Sequence, residues 1–411
     1  MSKHPGTNGS HNLPAKADIA VIGAGVNGLA AALQLARRKA GKVVVIERKQ
    51  IGAGATGKSG ALIRQHYTNL PEALLTLHSL PTFINWADEI GCGDPGFQQP
   101  GFLRVVAPAD EQNLRRNVQA MRDVGVNTWI VSPEEIRELE PLLHVDDLSA
   151  AAFEPDAGYA DPNATMYGLA EAAMLAGVEI HLQTEATRLV VAGDRVAAIE
   201  TTRGRIAVGQ VLVAAGAWAD RLLDPIGVEL GMTPYKSQVV LFRWPLAMDQ
   251  TRPHRVVIDT IHQSWLRPEG NTLTLIGIEF PDRQADPDTF PEFPPVDYIE
   301  ATRTALAARF PVFKGATMRG GWTGMYMMSP DHHPIIGAVD GIAGLYVMAG
   351  DSGSSFKTAP ATGICLAELM TEGRSKLVDL TPFRPGRFRD GEPWVDQFRY
   401  GPIGEELSIS R

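Results

Sequence analysis

Cysteine is nearly absent: Cys92 and Cys365 are the only two in 411 residues. Two thiols exclude a disulfide framework and a cysteine-built metal site, and they suit a reducing cytoplasm, the expected compartment. Also missing is any uninterrupted apolar run of about 18 residues, so no membrane-spanning helix is expected. No block of Lys or Arg stands out and the net charge is −9, which argues against nucleic acid or an anionic membrane as partner. Residues 1–16 lack the apolar centre of a signal peptide and read as a disordered lead-in. No repeat of solenoid period is visible. The remaining composition, 44% hydrophobic and 21% charged, is ordinary for a globular chain, and the length predicts two lobes.

Against that background one stretch carries chemistry. Asp18-Ile-Ala-Val-Ile-Gly23-Ala-Gly25-Val-Asn-Gly28 is an apolar strand opening into Gly-x-Gly-x-x-Gly, followed by an Ala/Leu-rich helix and then Val43-Val-Val-Ile-Glu47. That order is the βαβ fingerprint of a dinucleotide site. Gly23 permits a tight turn, Gly25 admits backbone close to a pyrophosphate, and Gly28 lets helix and strand pack closely. The helix starting near Val26 directs its positive end at the phosphates. Glu47 stands 19 residues beyond Gly28, where an acid accepts ribose hydroxyls. A plain glycine-rich turn in an α/β core is the alternative.

Further strands predict that this sheet is discontinuous. Val178–Thr184, Arg195–Thr201, Gly209–Gly216 and Gly344–Gly350 read as β runs, and a helix is expected from about Ala359 to Glu372, with Gly373 as its stop. The fold class is therefore α/β: a discontinuous Rossmann-type nucleotide domain over 17–74, 151–231 and 329–382, with a second α+β domain built on an antiparallel sheet over 75–150 and 232–328. Pro281–Pro295 reads as a surface loop or hinge. Residues 383–411 form a tail that either wraps the body or makes an oligomer contact.

Two more loops suit a flavin better than a nicotinamide, for which the usual acid/base pair is not found. Gly52–Gly60 is a second glycine-rich loop able to wrap phosphate or a ring edge with amides. Gly350-Asp-Ser-Gly-Ser-Ser-Phe-Lys357, ahead of a helix, can stabilise negative charge on a reduced ring.

With these residues in view, the chain resembles the FAD-dependent amino acid and amine oxidoreductases related to D-amino acid oxidase, most of all the sarcosine oxidase, glycine oxidase and dimethylglycine dehydrogenase branch. Four motifs carry the likeness: Gly23–Gly28 with Glu47; Ala55-Thr-Gly-Lys-Ser-Gly-Ala-Leu-Ile-Arg64-Gln-His-Tyr67; Val213-Ala-Ala-Gly-Ala-Trp218; and Trp322–Gly337 continuing through Gly350–Lys357. The resemblance implies FAD, held without a covalent bond by Gly23, Gly25, Val26, Asn27 and Gly28, by Glu47 and Arg48, and by Thr56, Gly57, Lys58, Ser59, Gly60, Ala61 and Leu62. Later contacts are implied at Ala186 (beside the adenine), Ala215, Gly216, Trp218 and Gly324, and along Gly350, Asp351, Ser352, Gly353, Ser354, Ser355, Phe356 and Lys357. It implies that Arg64 and Lys357 hold a substrate carboxylate and that Tyr326 and Trp265 wall the substrate; His66, beside Arg64, either shapes the site or faces solvent. Two cations can clamp a carboxylate and orient its α-carbon over the ring.

Two departures stand out. Gly324 occupies the position where several relatives attach flavin through Cys, and Leu275 the position where oxygen-using relatives carry Lys; Lys236 is either a substitute cation or, the preferred reading, a solvated surface residue. His332-His333 is not expected to bind metal, and Met325, Met327 and Met328 read as packing. The reading is FAD-dependent oxidation of the C–N bond of a small amino acid or N-alkyl amino acid. The electron acceptor is O2, or a protein or quinone within a larger complex; homo-oligomerisation is also open. A non-catalytic flavin-binding protein is the alternative of another class.

Overall fold

Burial on both faces turns the first apolar runs into the centre of a parallel sheet. The computed structural model describes residues 12–249, 251–281 and 284–401. In it Lys16–Ile22 is a strand whose Ile19 and Val21 enter one hydrophobic cluster while Ala20 and Ile22 enter another. Val43–Ile46 divides in the same way, Val43 and Val45 to one side, Val44 and Ile46 to the other. Side chains alternate at period two, so continuous Val/Ile runs need cover on both faces. Lys16–Ile22 lies between Val43–Ile46 and Gly204–Val213, both parallel to it. Glu179–His181 extends one edge, Leu345–Ala349 and then the antiparallel Ile335–Ala338 the other. Helices Val26–Arg37, Pro162–Leu175 and Ala359–Glu372 cover one face.

The second sheet runs Met318–Met328, Thr233–Arg243, Leu273–Ile278, Ser264–Glu269, Val256–Asp259, Phe102–Val105, Ala151–Glu154, Trp129–Val131. It is antiparallel throughout except where Val256–Asp259 meets Phe102–Val105. Helix Val296–Arg309 backs it, placing Tyr298 and Leu306 against Val240, Leu266 and Ile276. The other face, through Ile258 and Trp265, meets Leu62 and Tyr159.

Two expected domain boundaries shift. Helix Leu70–Ile84, split by the expected boundary at 74, sends Leu75, Leu80 and Phe83 into the nucleotide-side core. Ala151–Glu154, expected in the nucleotide domain, pairs with Phe102–Val105 in the second sheet. The described part of the tail, 383–401, wraps the body: Phe383 is fully buried and Arg387 forms a buried ion pair with Asp331 at 2.7 Å. Residues 1–11 of the expected lead-in and 402–411 of the tail lie outside the described residues; Lys16 already belongs to the first strand.

Candidate active site

The two sheets enclose a cavity of about 530 Å³, lined from Ile22 through Lys357, a size typical of small-ligand and cofactor sites. At one end stands the glycine turn. Gly23 adopts φ +110°, and a Cβ there would lie 2.3 Å from the Ala214 carbonyl oxygen. A Cβ on Gly28 would lie 2.1 Å from the Gly23 oxygen, so no side chain fits between turn and helix. Helix Val26–Arg37 begins at this turn, with Gly25 as N-cap and no side-chain cap. Its first amides face the cavity beside Thr56, whose Oγ1 accepts from Val26 N at 3.3 Å. Glu47 accepts from Ala24 N at 2.9 Å and from Lys49 N at 2.8 Å. A carboxylate has about four lone-pair sites, so two remain for ligand hydroxyls.

These residues fit FAD. Asn27 Oδ1 is buried at the cavity wall with no hydrogen-bond partner among the described residues, while its Nδ2 donates to Ser355 Oγ at 3.0 Å. An orphaned acceptor in a native fold calls for a donor from outside. Seven basic side chains line the cavity (Arg48, Lys49, Lys58, Arg64, Arg221, Lys236, Lys357) against four acids (Glu47, Glu185, Glu279, Asp351), a balance that favours an anionic ligand. Bound there, FAD would lie along Gly23–Gly28, Glu47, Arg48 and Ala186 at one end and along Gly60, Gly324 and Gly350–Lys357 at the other.

Of the residues expected in the cofactor site, Gly57 and Ser352 do not border the cavity. The Gly57 amide donates back to the Gly52 oxygen at 3.1 Å, and the Ser352 hydroxyl turns to Gly350 O at 3.0 Å and Ser329 N at 3.2 Å. Both shape loops rather than touch the space. The others border it, Thr56, Lys58–Leu62, Ala215, Gly216 and Trp218 among them. Neither cysteine does, and at Gly324 a Cβ would sit 3.1 Å from the Lys58 Cβ.

At the far end two cations from opposite ends of the chain share one aromatic ring. The Arg64 guanidinium carbon lies 4.6 Å from the Tyr67 ring centre, and Lys357 Nζ lies 5.1 Å from it. Lys357 donates to Ser354 O at 2.8 Å and Arg64 to the His66 carbonyl. Cation–π contact holds both charges at the wall. Trp265 packs its indole where Gly60 and Gly277 lack side chains: a Cβ on either would approach the ring within 2.2 and 2.7 Å. Tyr326 meets Tyr235 edge to face at 6.3 Å.

His66 does not border the cavity; it is fully buried behind Arg64, with Nε2 2.8 Å from Tyr400 Oη. Burial, then the charges of Arg104 and Arg64, hold its pKa well below the ordinary histidine value. Leu275 is fully buried and pairs with Arg267, whereas Lys236 does line the cavity. His332 sits in a turn at φ +67° rather than on an extended segment, and His333 Nδ1 is 2.7 Å from Glu72. Met325 and Met327 pack in the core, as do Val211 and Ile335 beside them.

The sequence marks the segment after Pro281 only as a surface loop or hinge. Its Asp288 accepts from Trp218 Nε1 at 2.9 Å and from Arg48 Nη2 at 3.0 Å, and also pairs with Arg221. Arg48 stacks 4.0 Å above the Trp218 ring, and Glu292 reaches Lys58 at 3.3 Å. The four partners all line the cavity, so the loop ties across its rim. The available signal was the Asp/Pro/Phe composition, which also describes any exposed loop.

Among the described residues no helix is long and apolar enough to cross a membrane. A profile of the FAD dependent oxidoreductase (DAO) family matches residues 18–369. Sarcosine oxidase subunit beta from Rhodobacter capsulatus is 26% identical over 389 residues, covering 92% of this chain and 90% of that one. Glycine oxidase from Pseudomonas aeruginosa is 29% identical over 377 residues, covering 89% and 98%. Among solved structures, L-proline dehydrogenase from P. horikoshii has a TM-score of 0.85 at 29% identity and covers 93% of this chain and 100% of that one. Because the matched span contains every residue that lines the cavity, fold and site point to one conclusion: the chain belongs to the FAD-dependent oxidoreductase family.

Proposed function

We propose that this enzyme oxidises the C–N bond of a small amino acid or N-alkyl amino acid, with Arg64 and Lys357 as the carboxylate clamp. The observation that carries this reading is the pair of cations, each against the Tyr67 ring and each lining the cavity. FAD, when bound, supplies the acceptor for the hydride leaving the carbon next to nitrogen, and the imine product hydrolyses in water. The protein's part is placement. Arg64 offers a forked donor set that matches a carboxylate, and Lys357 adds a compact charge beside it. Trp265 and Tyr326 wall the space between clamp and glycine loops, exclude water and limit the side chain that fits. Orientation of this kind replaces a proton-transfer pair.

The relatives named above, a sarcosine oxidase subunit, a glycine oxidase and an L-proline dehydrogenase, all take small carboxylated amines, which supports the substrate class. An anaerobic screen of glycine, N-methylglycine, proline and D-amino acids tests it: one of them must bleach the flavin band, and a holoprotein bleached by none refutes the reading. A second reading concerns the acceptor. Leu275 leaves no cation on its strand to favour charge developing on dioxygen, which supports a dehydrogenase passing electrons to a protein or quinone. Slow reoxidation in air after anaerobic bleaching is the expected result.

A further inference from the structure

The family profile ends at residue 369, yet a side chain well beyond it reaches the back of the carboxylate clamp. Tyr400 is 1% exposed, and its phenol oxygen lies 2.8 Å from His66 Nε2 and 2.9 Å from Asn117 Nδ2. An amide nitrogen only donates, so Asn117 fills an acceptor site of the phenol. His66 Nε2 meets the same oxygen, and burial with the nearby Arg104 and Arg64 charges favours the neutral imidazole. The His66 carbonyl in turn accepts from the Arg64 guanidinium. A continuous chain of contacts thus runs from Asn117 through Tyr400 and His66 to the cation at the cavity wall.

The segment that delivers Tyr400 is tied down on both lobes. Asn117 donates to Phe398 O at 2.7 Å and Asn113 to Arg399 O at 2.9 Å, while Gly401 N donates to Asp110 at 3.0 Å. Trp394 stacks on His333 at 4.5 Å, and Asp396 lies 3.4 Å from His333 Nε2. The Arg104 guanidinium packs 4.8 Å over the Tyr400 ring. A phenol this constrained from every side can hold a histidine in one orientation.

We propose that Tyr400 is a positioning residue for substrate carboxylate binding, fixing Arg64 through His66. The proposal deepens the reading of Arg64 as a carboxylate ligand and rests on it. The probe is propionate, titrated into holoenzyme and followed by perturbation of the flavin absorbance, in a double-mutant cycle of Tyr400→Phe and Arg64→Ala. Tyr400→Phe is expected to raise the propionate Kd by about 5- to 30-fold, the loss that one buried hydrogen bond supports. In the Arg64→Ala background the same substitution should change it less than about 2-fold, because the group it positions is gone. A merely structural tyrosine would give equal effects in both backgrounds, and that result, or no effect in either, overturns the proposal. Arg64→Ala leaving the propionate Kd unchanged would instead remove the carboxylate role of Arg64 itself. Should Tyr400→Phe fail to fold, Asn117→Ser, which loosens the phenol but keeps its hydroxyl, goes through the same cycle with the same pattern expected.

Discussion

Cutting the tie across the cavity rim should release FAD faster. Asp288 is the hub, with ion pairs to Arg48 and Arg221 and the indole N–H of Trp218 as a third donor. The carboxylate is 36% exposed, so each pair contributes little, roughly 0.2–1 kcal/mol. A hydrogen bond from the indole adds roughly 0.5–1 kcal/mol. Together these give about 1–3 kcal/mol, or about 5- to 150-fold in the release rate of Asp288→Ala if the loop must lift before the cofactor leaves. Arg221 first, then Arg48, holds the carboxyl well below its usual range, so the tie stays charged through neutral pH and the effect should not vary between pH 6 and 9. Salt should matter instead: at 1 M the screening length falls to about 3 Å and the ratio of variant to wild type should shrink. Dilution of holoprotein, with release read from the rise in free-flavin fluorescence, measures both. A ratio within 2-fold at low salt, or one indifferent to 1 M salt, would refute the ionic tie. Asp288→Asn, which keeps an acceptor for Trp218, should fall between the two.

Other outcomes follow from single residues. Arg64→Ala and Lys357→Met should each raise KM for carboxylated substrates about 10- to 150-fold, the equivalent of about 1.5–3 kcal/mol for a charged hydrogen bond, while a carboxylate-free amine is oxidised with KM little changed; steady-state kinetics on the matched pair checks this. Gly28→Ala puts a methyl 2.1 Å from the Gly23 oxygen and should cost about 1–3 kcal/mol together with bound flavin, seen as a lower urea midpoint and a lower ratio of flavin to protein absorbance after dialysis. Full flavin occupancy at an unchanged midpoint would contradict it. Glu154, buried and only partly compensated by the Gln65 amide and the Arg64 charge, is pushed up to about 7 from an ordinary 4.5. The unfolded chain therefore loses this proton first, so the contribution is complete below pH 4.5 and is lost as pH rises towards 7. The urea midpoint of wild type minus that of Glu154→Gln should fall across that window and then level off; a constant difference would exclude Glu154 as the source.

Local patterns were legible because their causes are local. The Gly23–Gly28 turn, the helix at Val26 and the span Ala359–Glu372, closed by left-handed Gly373, each follow from neighbouring residues and stand where the pattern puts them. Partners across space were not legible. Small and apolar residues in Ala151–Glu154 do not say which sheet supplies its neighbour, and the apolar residues Leu75, Leu80 and Phe83 do not say which core they enter. Asp288 and Tyr400 lay hidden for the same reason: an exposed acid in a proline-rich loop, or an aromatic in an aperiodic tail, looks alike whether it is idle or tied to a site. His66 shows the limit from the other side, since its place in the motif could not tell the cavity wall from the layer behind it.

The order of strands also sets a timetable. Leu345–Ala349 sits beside Gly204–Val213, which sits beside Lys16–Ile22, and Lys357 follows within a few residues. A ribosome that has released only the glycine fingerprint has not yet delivered the strand and loop that close the opposite end of the cavity, so a polypeptide cut short before residue 345 would lack a complete site for the prosthetic group.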